Sequence, residues 1–173
     1  MLRLCPINNL TNLRHSAEFA KLVDMFTKKY LRNTLLCTDY ELNSRLSVLS
    51  ELYKSGPYFP KIEADYDSTH VYIKLSRVNR LLTSYNELNP EWFRDVRNVL
   101  KANSAWHGDI KPQNIGFIGK IAVLIDWEPA LKQLKNRTPQ LMTSYNASKY
   151  AKIEEIHAAD LNKLLYLEQK YGY

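Results

Sequence analysis

Apolar and polar positions alternate at two different periods along this chain, and the change of period marks its elements. In TDYELNSRLSVLSELY (38 to 53), Leu42, Leu46, Leu49 and Tyr53 fall at helical intervals. Thr38 precedes them as N-cap, and Gly56 and Pro57 lie beyond the end. NPEWFRDVRNVLKAN (89 to 103) predicts a second helix, with Asn89 as cap, Pro90 at the first helical position, and Phe93, Val96, Val99 and Leu100 on its buried face. FPKIEADYDSTHVYIKL (59 to 75) instead reads as two strands around a polar Asp67-Ser68 turn, with Val71, Ile73 and Leu75 alternating in the second.

AEFAKLVDMF (17 to 26) is a mixed apolar run expected to be a strand, and NIGF with IAVLID predicts a short hairpin around Gly119 and Lys120. A last helical stretch is expected over 147 to 170. The order is a strand-rich first part with one helix, then a mainly helical second part, an α+β layout with a seam near residues 76 to 79.

A chain of 173 residues with 45% hydrophobic and 24% charged positions fits one compact domain, or one domain of two small lobes. The net charge is +6, spread along the chain, which suits an acidic or phosphorylated ligand as well as any nucleic acid. No segment approaches the roughly 18 apolar residues of a membrane span or the shape of a signal peptide, so a soluble, cytoplasmic protein is expected. Cys5 and Cys37, with four dispersed His, make neither a disulfide framework nor a zinc pattern.

The chemistry concentrates in AWHGDIKPQNIGF (105 to 117) and VLIDWEPA (123 to 130). Held in a loop after the 89 to 103 helix, Asp109 can accept a proton from an incoming hydroxyl or orient it for attack. Asn114 and Asp126, at the two ends of the hairpin, offer neutral and charged oxygens of the kind Mg²⁺ takes alongside phosphate. Lys111 adds a cation for a transferring phosphoryl group, and positioning with charge neutralisation is most of what phosphoryl transfer needs.

HGDIKPQN resembles the catalytic loop of protein kinases, H-R-D-L-x-x-x-N, and IDWE stands where those enzymes carry D-F-G. The resemblance implies a minimal two-lobed protein-kinase-like fold: a small β-rich lobe with one helix (1 to 76) and a truncated helical lobe (77 to 173). It implies Asp109 and Lys111 as catalytic residues, Asn114 and Asp126 as Mg²⁺ ligands, and ATP as phosphoryl donor. FAKLVDMF looks like the family's V-A-I-K strand, which nominates Lys21 for the nucleotide phosphates with Glu41 as its ion-pair partner. Lys28 or Lys29 takes that place if the strand lies elsewhere.

Glu41 also completes a capping box with Thr38, which needs no lysine, and Arg45 is one turn away as an ordinary surface partner. His107 has a largely structural counterpart in that family, and Trp106 and Trp127 read as packing. Asp160 is either a buried brace for the catalytic loop or a surface residue of the last helix.

The chain departs from the family in three places. Its first sixteen residues hold no glycine-rich phosphate loop, Gly108 replaces the loop's usual Arg, and the stretch after Asp126 is too short for a full helical lobe. The expected activity is ATP- and Mg²⁺-dependent transfer to a Ser or Thr hydroxyl of a protein, similar to the minimal kinases that pathogenic bacteria secrete into host cells. The substrate would then be a host protein and the enzyme a monomer without nucleic-acid partner or membrane span. A small-molecule phosphotransferase resembling aminoglycoside and choline kinases, and a pseudokinase binding module, are the alternatives.

Overall fold

The computed structural model describes residues 25 to 131 and 153 to 172. Two three-stranded antiparallel sheets and three α-helices make up these residues, a mixed α+β architecture.

The first sheet contains β1 (Met25–Leu31), β2 (Ile62–Tyr66) and β3 (His70–Ser76) in the order β1-β3-β2, with Lys28 opposite Ile73 and Ala64 opposite Ile73 on the other side. Asp67 makes the turn between β2 and β3, because its carboxylate accepts the amides of Thr69 (2.7 Å) and His70 (2.8 Å). Val71, Ile73 and Leu75 then point to the core at period two. Of the strand expected over 17 to 26, Met25 and Phe26 belong to β1, which runs on to Leu31, and residues 17 to 24, Lys21 among them, lie outside the described residues.

Helix α1 (Asp39–Glu51) packs against β2 of this sheet and buries Leu42, Leu46 and Leu49, and with them Arg45. A 3-10 turn over Leu52–Ser55 continues it to Gly56. Residues 77 to 79, where a seam is expected, form a connector that leads from β3 to β4 (Arg80–Leu81). β4 pairs with β5 (Ile115–Ile118), and β5 pairs with β6 (Ile121–Leu124), forming the second sheet that the pattern read only as a hairpin.

Helix α2 (Pro90–Ala102) starts where the cap and proline place it, the Asn89 side chain accepting the Trp92 amide at 3.0 Å. It packs along α3 (Ile153–Tyr171), which begins inside the stretch expected from 147; residues 147 to 152 are not described. Phe93, Tyr85 and Tyr171 form an aromatic cluster between the two helices, and Arg97 pairs with Glu168 beside it. The Trp92 indole donates to the Ala122 carbonyl at 2.9 Å, fixing the second sheet on α2. One continuous core joins both sheets and all three helices, from Leu42 and Ile73 through Ile115 and Trp127 to Leu164. None of the described helices is long and apolar enough to cross a membrane.

Gly116 is where connector and second sheet come closest. A Cβ there would lie 2.6 to 2.7 Å from the branched side chain of Val78, which has no flexible end to move aside. Gly116→Ala should therefore cost about 1 to 3 kcal/mol in denaturant unfolding, and Val78→Ala in the same chain should recover part of it. Additive losses in that double-mutant cycle would show that the two positions do not press on each other.

Candidate active site

The segment from Trp106 to Asn114 is an irregular loop with almost every residue buried, so each backbone polar group needs a partner. Asp160 of α3, fully buried, supplies the first ones: its carboxylate accepts the His107 amide at 2.6 Å and the Gly108 amide at 3.2 Å. Of the two readings of Asp160, the buried brace is the one found. Gly108 sits at φ +86°, a left-handed conformation that a side chain would strain, which gives the glycine of HGD a backbone reason.

His107 is sealed from solvent and used at both ring nitrogens. Its Nδ1 accepts the Asp109 amide at 3.2 Å, so the proton resides on Nε2, which donates to the Ile125 carbonyl at 2.6 Å. One imidazole thereby ties the loop to the segment that bears Asp126. Trp127 packs edge-on against the ring at 4.7 Å. Burial pushes the imidazole down to about 4, against the upward pull of its bond to Ile125 and of the Asp126 and Asp109 charges.

Asp109 lies at the bottom of the loop with 3% exposure. Lys111 Nζ stands 2.7 Å from its Oδ2, and Asn114 Nδ2 donates to the same oxygen at 3.0 Å and to the Asp109 carbonyl at 2.8 Å. Asn114 closes a 3-10 turn begun at Pro112. Its own carbonyl accepts the Ile125 amide at 2.8 Å, which holds the residue before Asp126 across the foot of the hairpin. Asp109, Lys111 and Asn114 are thus in direct contact, and Asp126 lies near enough for its charge, with that of Asp109, to act on His107.

Asp126 has φ +65°, a conformation that costs a non-glycine residue roughly 1 kcal/mol and that Asn and Asp tolerate best. Such strain accumulates at functional positions. Its carboxylate forms an ion pair with Lys28 of β1. Lys29, on the opposite face of the strand, lies over the Tyr72 ring at 5.6 Å and takes no part.

The other half of the expected pair lies apart from this cluster. The Glu41 carboxylate accepts the Thr38 amide at 2.8 Å and hydroxyl at 3.1 Å, while the Glu41 amide donates to the Thr38 hydroxyl at 3.2 Å. That is the capping box, and its hydrogen bonds hold the Glu41 carboxyl below the usual range. Glu41 is exposed at the start of α1 and makes no ion pair with Lys28.

Arg45 corrects a further expectation. It is no surface partner of Glu41 but a buried residue between α1 and the loop, donating to the carbonyls of Trp106 (2.9 Å) and Glu128 (3.1 Å). The signal was available, since 42, 45, 46 and 49 share one helical face.

A cavity of about 480 Å³ opens beside α1, between Leu35, Tyr40, Arg45, Trp106 and Ala130. None of Asp109, Lys111, Asn114 and Asp126 lines it.

The oxygen donors of the cluster suit a hard divalent cation. Asp126 offers a carboxylate, and Asn114, having spent its amide hydrogens on Asp109, offers its amide oxygen. Neither a family model nor a curated protein sequence matches the chain.

The neutrality of His107 carries a pH signature. The unfolded imidazole gains a proton as pH falls through about 6.5, whereas the folded one resists to about 4, so stability is complete above that window and declines within it. The decline is on the order of 3 kcal/mol between pH 7 and pH 4 for this group alone. Urea unfolding across that range should show it, and a His107→Gln chain should have a visibly shallower slope; equal slopes would remove His107 as the cause.

Proposed function

We propose that this chain is an ATP- and Mg²⁺-dependent phosphotransferase acting on a Ser or Thr hydroxyl of a protein, built as a minimal two-lobed kinase-like domain. The observation that carries the reading is the Asp109 cluster: a buried carboxylate held by Lys111 and Asn114, with the Asp126–Lys28 ion pair across the foot of the same hairpin. A loop needing only to turn has no use for two carboxylates, two lysines and an amide in one place.

In this reading Asp109 receives the hydrogen bond of the acceptor hydroxyl and orients its oxygen in line with the γ-phosphorus. The new O–P bond forms as the bond to the β,γ-bridging oxygen breaks. ADP leaves, and the hydroxyl proton passes to the Asp109 carboxylate and then to solvent. Lys111, 2.7 Å from that carboxylate, neutralises charge on the phosphoryl group in transit. Asp126 and Asn114 would hold Mg²⁺, which when bound spreads the phosphate charge.

Lys28 takes the part of the phosphate lysine, because it is the β1 cation that reaches Asp126. Lys21 remains the other candidate from the V-A-I-K resemblance. The adenine would lie against the connector near Ser76 to Val78. The Lys111-Pro112 pair favours a protein acceptor over a small molecule, by resemblance to Ser/Thr kinases, and a host protein targeted by a secreted enzyme fits that resemblance.

The test is incubation of the protein with γ-labelled ATP, Mg²⁺ and a eukaryotic lysate, with protein and small-molecule fractions counted separately. Label is expected in a discrete protein band. It should fall at least about a hundredfold in Asp126→Asn and in Lys28→Met. Asn is the informative replacement at 126 because it tolerates the left-handed backbone, so loss of transfer cannot be blamed on the fold. Label confined to metabolites would favour the small-molecule phosphotransferase. Undiminished transfer by Asp126→Asn would overturn the site, and no transfer by the parent chain would leave a pseudokinase.

A further inference from the structure

Arg45 is the charged side chain on the otherwise apolar inner face of α1, at 8% exposure among Leu42, Leu46 and Leu49. A leucine would bury there at far lower cost, since a guanidinium must give up its hydration. What the arginine provides is a bridge between two segments far apart in sequence. Its Nη1 donates to the carbonyl of Trp106, directly before His107, and its Nε donates to the carbonyl of Glu128, two residues after Asp126. The guanidinium carbon lies over the Trp106 ring, 3.5 Å from its centre, and 5.9 Å from that of Trp127. Asp160, which holds the His107 and Gly108 amides from the far side, supplies the negative field that offsets part of the burial. Among the described residues the third nitrogen, Nη2, is buried without a hydrogen-bond partner.

We propose that Arg45 is a positioning residue: through the Trp106 and Glu128 carbonyls it locks α1 to the start of the Asp109 loop and to the chain leaving Asp126, setting the distance between the two carboxylates. Its importance for catalysis rests on the phosphoryl-transfer reading above; the lock itself does not. With Glu41 occupied in its capping box, this buried cation connects the placement of α1 to the site. A planar fork is required, because a single ammonium cannot aim two donors at carbonyls on separate segments while stacking on an indole.

The experiment compares the parent chain with Arg45→Lys, which keeps the charge facing Asp160 and loses the fork, and with Arg45→Gln, which keeps an amide donor and loses the charge. Thermal unfolding is measured first, and all rates are expressed per folded molecule at a temperature well below the transition. For Arg45→Lys, kcat should fall at least tenfold while KM for ATP stays within about threefold. Amide hydrogen exchange should quicken at 106 to 109 and 126 to 128 more than in the α2–α3 pair. Arg45→Gln should show the same split with a larger drop in melting temperature.

A variant that loses only melting temperature, with parental kcat and unchanged local exchange, would reduce Arg45 to packing and overturn the proposal. Should the parent chain itself transfer no phosphate, the phosphotransferase reading fails, and the exchange comparison alone decides the lock. Quickening confined to those two segments upholds it, and uniform or absent change overturns it.

Discussion

The structure around the site depends on one buried charge, the Asp160 carboxylate between α3 and the loop that begins at Trp106. An isolated carboxylate with no exposure would be strongly disfavoured, and it is made tolerable by the amides of His107 and Gly108 and by the field of Arg45. The dependence runs both ways. Those two amides lie in an irregular, buried stretch where no strand or helix could satisfy them, so without Asp160 the loop would have to open to water. A helix distant in sequence therefore holds the loop in place.

From that anchor the remaining geometry follows in steps. The left-handed turn at Gly108 places His107 with both nitrogens engaged, one on the Asp109 amide and one on the Ile125 carbonyl. The imidazole must be neutral to make this pair of bonds, because one nitrogen accepts, and burial keeps it neutral. The loop and the end of β6 are then joined twice, through His107 and through the Asn114 carbonyl with the Ile125 amide. Asp109 and Asp126 come into the same neighbourhood as a result of these backbone constraints.

Much of this was legible in the sequence wherever a local rule had no strong competitor. The Asn89-Pro90 start of α2, the turn at Asp67 and the hairpin at Gly119 follow from capping and turn chemistry, and the structure places them there. The capping box at Thr38 and Glu41 was equally readable, but it competed with a catalytic role for the same glutamate, and the local interaction holds the side chain. β1 was harder. In MFTKKYL the central Thr27, Lys28 and Lys29 interrupt the apolar pattern, so the expected strand stops at Phe26 while β1 runs on to Leu31. The burial of Arg45 was obscured because an arginine at a core spacing is usually solvated. Its distant partners, the carbonyls of Trp106 and Glu128, the Trp106 ring and the Asp160 carboxylate, explain why it is not, and pairings across such separations leave no periodic trace.

The charges of the cluster bear on how it would meet a nucleotide. Asp109 and Asp126 are matched by Lys111 and Lys28, so the four side chains are balanced before any ligand arrives. A triphosphate entering that balanced set brings several negative charges, and two lysines already satisfied by carboxylates cannot neutralise them alone. Asp126 and Asn114 would hold a divalent cation whose charge offsets part of theirs, and Lys28 would then be free to turn from Asp126 toward the phosphates. The ion pair is therefore consistent with a resting state of the proposed phosphotransferase, in which each lysine is held by the carboxylate it would work beside, and the exposure of Lys28 and Asp126, 31% and 25% by side chain, leaves that pair within reach of solvent and ligand.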